Sequence, residues 1–133
     1  MDKISNLIEI YMSKQFDSHS LYTCKNCDYK GPGKDKLGFL NTPKFLLISF
    51  EGEKQKKYLD NSIDLTNYSL SKSKNNKYNL LSYVTKENNK YNAYIKNNKG
   101  IWCKYNDENI IKDTALIVEN DCIPYIAIYE KEI

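Results

Sequence analysis

A chain of 133 residues with 41% hydrophobic content has the size of one domain with one modest core. Its net charge of +3, from 20 basic and 17 acidic residues, is too small and too evenly spread for a nucleic-acid binder, so no nucleic-acid partner is predicted. No apolar run approaches the length of a membrane span, and Asp2, Lys3 and Glu9 interrupt the first twelve residues, so neither a membrane segment nor a signal peptide is expected. Without a secretory signal, the four cysteines are expected to be reduced in an intracellular protein, cytoplasmic or nuclear. Twelve tyrosines lean the chain toward strands, where their rings pack on a pleated surface.

In chain order, Ile4, Leu7, Ile8 and Tyr11 fall on one helix face, which predicts a helix over about 3–13 with Ser5 or Asp2 as its cap. Cys24-Lys25-Asn26-Cys27 follows, between Tyr22 and Tyr29. Gly31-Pro32-Gly33 reads as a turn, and Asp35 to Leu40 as a short strand. The apolar run Phe45-Leu46-Leu47-Ile48-Ser49-Phe50 after Pro43 predicts a strand buried on both faces. Glu51 to Lys57 is charged and reads as a loop, as does Ser69 to Lys77, with a brief strand at Ile63 to Leu65 between them. Tyr78 to Thr85, Tyr91 to Asn97 and Ile101 to Tyr105 read as strands, joined by turns at Glu87-Asn88-Asn89 and Asn98-Lys99-Gly100. Asp113 to Asn120 reads as a short helix or irregular segment, and Ile123 to Tyr129 as the last strand. One helix followed by strands on short turns predicts a single α+β domain around an antiparallel sheet, with the helix and Cys-x-x-Cys at 1–30 and the sheet at 36–130.

Several of these segments, in this order, resemble the second half of the ubiquitin-specific protease catalytic domain. The helix leading to Cys24-Lys25-Asn26-Cys27 is similar to the approach to the second Cys-x-x-Cys of the family's zinc ribbon. Leu40-Asn41-Thr42-Pro43 with the strand after it resembles the family's leucine-x-x-proline signature. Ile63-Asp64-Leu65 resembles the short strand before its insertion loop, and Tyr78-Asn79-Leu80 the strand that leads to its histidine box. Tyr91 to Lys96 resembles the strand just after the catalytic histidine, Trp102-Cys103-Lys104-Tyr105-Asn106-Asp107 the tryptophan box, and Pro124 to Glu130 the closing strand. The resemblance runs from about residue 4 to residue 130. It implies the palm and fingers half of a papain-like cysteine protease fold, and the intracellular setting of a eukaryotic deubiquitinase.

The departures set the functional expectation. A cysteine protease of this kind needs a thiolate, an imidazole to take its proton and a polar group to orient that imidazole. The chain holds no segment resembling the family's cysteine box. Where the resemblance places Gly-His-Tyr, the residues are Asn89-Lys90-Tyr91, so Lys90 stands at the position of the base. A solvated lysine titrates near about 10.4, and its ammonium has no lone pair to accept a proton at neutral pH. Asn106 stands at the position of the orienting Asn or Asp. The one histidine, His19, is expected in the loop before the cysteine pair.

Each remaining candidate has a structural alternative. Cys24 and Cys27 have the spacing of half a zinc site, and a closed site needs four ligands, so free thiols are favoured and no cofactor is expected, with zinc as the alternative. Trp102 and Tyr105 flank the tryptophan box and Tyr91 follows Lys90. All three are candidate partner contacts, with core packing the more frequent role for such residues. The expected function is a catalytically inactive relative acting as a binding or structural subunit for ubiquitin, a ubiquitin-like protein or a larger assembly. The expected contact surface is an apolar sheet face that a cysteine lobe would otherwise cover. The alternative is the C-terminal half of a split or truncated ubiquitin carboxyl-terminal hydrolase.

Overall fold

The computed structural model describes residues 2–13, 15–36, 38–52, 54–70, 75–107, 109–112 and 121–133. The elements run β1 (Asp2–Lys3), α1 (Ile4–Met12), β2 (Gln15–Thr23), β3 (Lys30–Lys36), β4 (Phe45–Ser49), β5 (Lys57–Tyr58), β6 (Ser62–Asp64), a 3-10 turn (Thr66–Tyr68), β7 (Lys77–Glu87), β8 (Lys90–Lys96), β9 (Trp102–Tyr105), β10 (Ile110–Lys112), β11 (Asp121–Cys122) and β12 (Pro124–Lys131). One helix against a mainly antiparallel sheet is the α+β architecture expected.

The centre is a seven-stranded sheet in the order β10-β9-β8-β7-β12-β4, with β6 paired to the first half of β7. β7 is long enough to pair β12 along its length and to give its two halves to β6 and β8 in turn. A bulge between Ile128 and Tyr129 absorbs one extra β7 residue, so that Tyr78 and Leu80 join Tyr83 in the core. Across the inner face, Ile48, Ala127, Tyr83, Tyr94 and Lys104 lie opposite one another in one row. Tyr83 stacks on Tyr94 with centroids 4.5 Å apart and meets Trp102 edge-on at 5.6 Å. Ile4 of α1, together with Leu59, Ile63 and Leu65, closes this face.

The cover is fastened by polar groups. The Asp60 carboxylate accepts the Ser5 backbone N–H at 2.9 Å and satisfies one free donor of the helix start. Neither Ser5 nor Asp2 caps α1 as expected. The cap residue is Lys3, with no side-chain bond, because Asp2 is drawn into β1 beside β5. The buried Tyr129 hydroxyl donates to the Asp60 carbonyl at 2.8 Å, and burial, then the Asp60 charge, raise its pKa strongly. Tyr78 likewise donates to the carbonyl of Pro43. Lys57 ends the charged run but is not a loop residue: it is 6% exposed in β5, with its ammonium 3.2 Å from Asp2.

Other expectations fail for identifiable reasons. Gly31, Pro32 and Gly33 do not turn the chain. They lie inside β3, paired with β2, and the reversal is made earlier, at Cys24 to Tyr29. Gly31 leaves the space that the end of the exposed Tyr29 ring occupies, and a Cβ there would push that ring aside. The strand expected from Asp35 accordingly ends at Lys36, and His19 belongs to β2 instead of a loop. Phe45 to Ser49 does form a strand, but not one buried on both faces: β4 is the last strand of the sheet, and Leu47 is 60% exposed. The segment Asp113 to Asn120 lies outside the described residues. Among the described residues no helix is long and apolar enough to cross a membrane.

Candidate functional site

Two tight hairpins bring the sequence candidates together. Asn88 and Asn89 both take positive φ, 47° and 64°, the conformation of a two-residue turn matched to strand twist, and asparagine tolerates it. The turn delivers Lys90 as the first residue of β8, opposite Glu87. β8 returns through Asn97 to Gly100: the Asn97 side-chain oxygen accepts the N–H groups of Lys99 and Ile101, each at 2.9 Å, and Gly100 has φ 76°. The register then sets Tyr105 opposite Ala93, so the next residue, Asn106, arrives beside the start of β8.

There Lys90, Tyr91, Asn92, Asn106, Asp107 and Asn109 surround an open, polar hollow of about 350 Å³. The two positions matched to base and orienting group are therefore neighbours in the fold. Asn106 is also spoken for locally. Its side-chain oxygen accepts the Asn109 N–H at 3.0 Å, and its own N–H donates to the Asn109 carbonyl at 3.2 Å. The hollow presents an ammonium, amides and the Asp107 carboxylate, with no imidazole among its described walls. His19 sits in the β2–β3 ribbon, not in this sheet.

The three aromatic candidates separate. Trp102 is 2% exposed, packed on Tyr83 with the Lys96 ammonium 5.5 Å from its ring, so it is a core residue and offers no contact surface. Tyr91 is 46% exposed and meets Tyr125 edge-on at 5.4 Å, with the Lys86 ammonium 5.4 Å and 5.9 Å from the two rings. Tyr105 is partly exposed and belongs to a row that runs Ser49, Ile126, Val84, Ala93, Tyr105, Ile110 across the outer face of the sheet. A parallel row runs Leu47, Ile128, Ser82, Ile95, Cys103. From the sequence, the apolar strands Phe45 to Phe50 and Tyr125 to Tyr129 were expected to leave a face in need of cover, but Leu47, Ile126 and Ile128 were not singled out within them and Ile95 was not named. Their alternation with the core residues of the same strands was the available signal.

Cys24 and Cys27 lie on the β2–β3 reversal. Cys24 donates its N–H to the Tyr29 carbonyl at 2.8 Å and accepts the Asp28 N–H at 3.2 Å on its own carbonyl, and Asp28 takes φ 55°. The Asn26 backbone N–H first, then the Cys27 thiol and its N–H, hold the Cys24 thiol below its ordinary pKa. Two sulfurs on one turn, one of them receiving backbone N–H groups, suit half of a tetrahedral thiolate site. Among the described residues no third His, Cys, Asp or Glu joins them.

The sheet, the N-terminal helix closing its inner face and the Cys-x-x-Cys reversal make up an α+β module. The family model for ubiquitin carboxyl-terminal hydrolase matches residues 3–129, and the chain belongs to that family. A search of the curated proteins found no match. Among solved structures, the fold is similar to that of Ubp8 in a SAGA Ubp8/Sgf11/Sus1/Sgf73 DUB module, with a TM-score of 0.75 at 19% identity over 99% of this chain and 33% of that one. It is similar also to the Ubp8/Sgf11/Sus1/Sgf73 module bound to monoubiquitin, with a TM-score of 0.71 at 19% identity and the same coverage. The yeast SAGA DUBm carrying a mutated Sgf73 matches with a TM-score of 0.67 at 18% identity, over 99% of this chain and 33% of that one. The chain spans about a third of the chains it matches.

Proposed function

We propose that this chain is a non-catalytic member of its family, an intracellular pseudo-deubiquitinase module that holds a protein partner. The observation that carries this reading is Lys90 at the position of the base, beside Asn106 and with no imidazole among the described walls of the hollow. An ammonium neither accepts the proton of an attacking thiol nor returns one to a leaving amine in the way an imidazole does. A cysteine lobe joined to this chain, or supplied by a second one, would still face Lys90.

The partner surface is the outer sheet face, where Ile95, Tyr105 and Leu47 stand exposed beside Tyr91. The partner is ubiquitin or a subunit of a larger assembly; related Ubp8 modules are found with monoubiquitin and with Sgf11, Sus1 and Sgf73. The test has two parts. Incubation with ubiquitin carrying a fluorescent C-terminal leaving group gives no turnover above buffer. Turnover abolished by a thiol alkylator would overturn the reading in favour of a split or truncated protease half. Titration of isotope-labelled ubiquitin then separates the partners: shifts in its spectrum that are lost on Ile95→Lys identify ubiquitin, and an unchanged spectrum assigns the face to an assembly subunit.

The cysteine pair acts as free thiols in the isolated chain and holds zinc only where two further ligands come from elsewhere. Metal analysis of chelator-washed protein is expected to find no zinc. One zinc per chain, with unfolding on its removal, would refute this.

A further inference from the structure

The free edge of the large sheet goes beyond that reading. We propose that two copies of this chain join edge to edge through β4, antiparallel about a two-fold axis at Leu47, making one continuous sheet. The backbone directions establish which groups are available. At the two ends of β4, Phe50 donates its N–H to Tyr125 at 3.0 Å, and Lys44 accepts the Lys131 N–H at 2.8 Å. The β4–β12 register is unbroken from Phe45 to Ser49. N–H and C=O groups alternate sides along a strand, so the even positions face β12 and Phe45, Leu47 and Ser49 aim theirs outward. Among the described residues β12 is the one strand paired with β4.

Among the described residues the five positions of this edge carry few of the usual protections; Pro43 and Lys44, whose ammonium lies 5.1 Å from the Phe45 ring, stand just before them. Phe-Leu-Leu-Ile-Ser contains no charge, proline or bulge, the devices that keep edge strands from pairing. It is also self-complementary. With Leu47 opposite Leu47 of the second copy, Phe45 falls opposite Ser49 at both ends. All three outward-facing residues then meet outward-facing residues, and no N–H or C=O of the strand is left over. The same register ends the ladder with Lys44 of each copy next to Phe50 and Glu51 of the other, opposite charges at both ends.

Both faces of the junction are apolar. On the outer face Leu47 meets its own symmetry mate, at a position 60% exposed in one copy. On the inner face an apolar groove of about 530 Å³ runs between α1 and β4, walled by Leu7, Tyr11, Met12, Leu46, Ile48 and Phe50. The pairing carries Leu46 and Ile48 of the second copy to its open side. Each copy has one β4, so the contact closes at two chains and does not propagate.

Sedimentation of the full chain over a range of concentrations tests this. A dimer is expected whose fraction grows with concentration. Leu47→Lys places a charge on the axis and is expected to abolish the dimer with unchanged circular dichroism. Leu47→Pro removes the outward N–H together with the side chain on the axis and is expected to do the same. Register is read by cross-linking with Cys24 and Cys27 changed to Ser. Directly opposed, hydrogen-bonded residues place their Cα atoms about 5.5 Å apart, within reach of a disulfide. Leu47→Cys is therefore expected to form a disulfide-linked dimer on mild oxidation, and Phe45→Cys to form one only together with Ser49→Cys. A wild-type monomer at every concentration, a dimer that survives Leu47→Lys, or equal cross-linking by Phe45→Cys alone would each overturn the proposal. The reading of the chain as a non-catalytic binder would stand in all three cases.

Discussion

On the inner face of the large sheet Tyr83 stacks on Tyr94 and meets Trp102 edge-on, and Ile4, Leu59, Ile63 and Leu65 are buried in the same core. One residue along the same strands, on the outer face, Ile95 is 43% exposed and Tyr105 and Leu47 stand in solvent. The two faces are made of similar residue types, so composition does not distinguish them. What distinguishes them is cover: the helix and the segment from β5 to the 3-10 turn serve one face only. Among the described residues Leu47, Ile95 and Tyr105 are left exposed on the outer face, the face proposed to hold a protein partner.

The strongest way to break this contrast is to truncate matching apolar residues on the two faces. Trp102→Ala empties a packed inner site, and such changes cost about 3–5 kcal/mol. That is a large part of the 5–15 kcal/mol typical of a whole domain. Ile95→Ala removes a half-exposed side chain and is expected to shift stability by less than about 0.5 kcal/mol, while reducing the binding of an apolar dye. Urea unfolding of the two variants checks both numbers. Equal losses would mean that the outer face is covered in the free protein and that no docking surface exists.

The sequence made one of these regions legible and concealed the other. The hairpins of β7, β8 and β9 are punctuated by Asn88-Asn89 and by Gly100, residues that accept positive φ, so their turns could be placed; Lys90 and Asn106 were linked by the family resemblance, and their proximity came from the strand register. Trp102 was harder: core packing was the more frequent role for such a residue, but a partner contact stayed open until its neighbours across the sheet were known. β4 was misread because a continuous apolar run reports hydrophobicity and not the number of neighbouring strands. The β2–β3 ribbon was hidden by Gly31-Pro32-Gly33, a turn signal that serves inside a strand, where the first glycine makes room for Tyr29. β1, β5 and β11 are two residues each and pair across long stretches of chain, so no periodicity could reveal them.

The smallest expected effect tests how the inner cover is held. Asp64 ends β6 between the core residues Ile63 and Leu65, and its carboxylate accepts the Thr66 hydroxyl at 2.5 Å and the Thr66 N–H at 2.9 Å. Those two bonds, the hydroxyl first, hold its pKa below the ordinary value, with Lys77 adding a weaker attraction. A carboxylate whose pKa is depressed by folding contributes stability above its unfolded pKa, about 3.9. The contribution fades as pH falls through the lower, folded value. Near neutral pH the contact is therefore fully formed, and acid is required to release it. The group is almost fully solvated, so the effect belongs to the local turn and not to global stability. An NMR titration is expected to show the Thr66 amide moving with an Asp64 midpoint below that of an unstructured aspartate, while the Tyr83 and Trp102 signals stay in place. If the inner aromatic signals broaden with the same midpoint, the turn and the core open together, and the inner face is less firmly closed than its burial indicates.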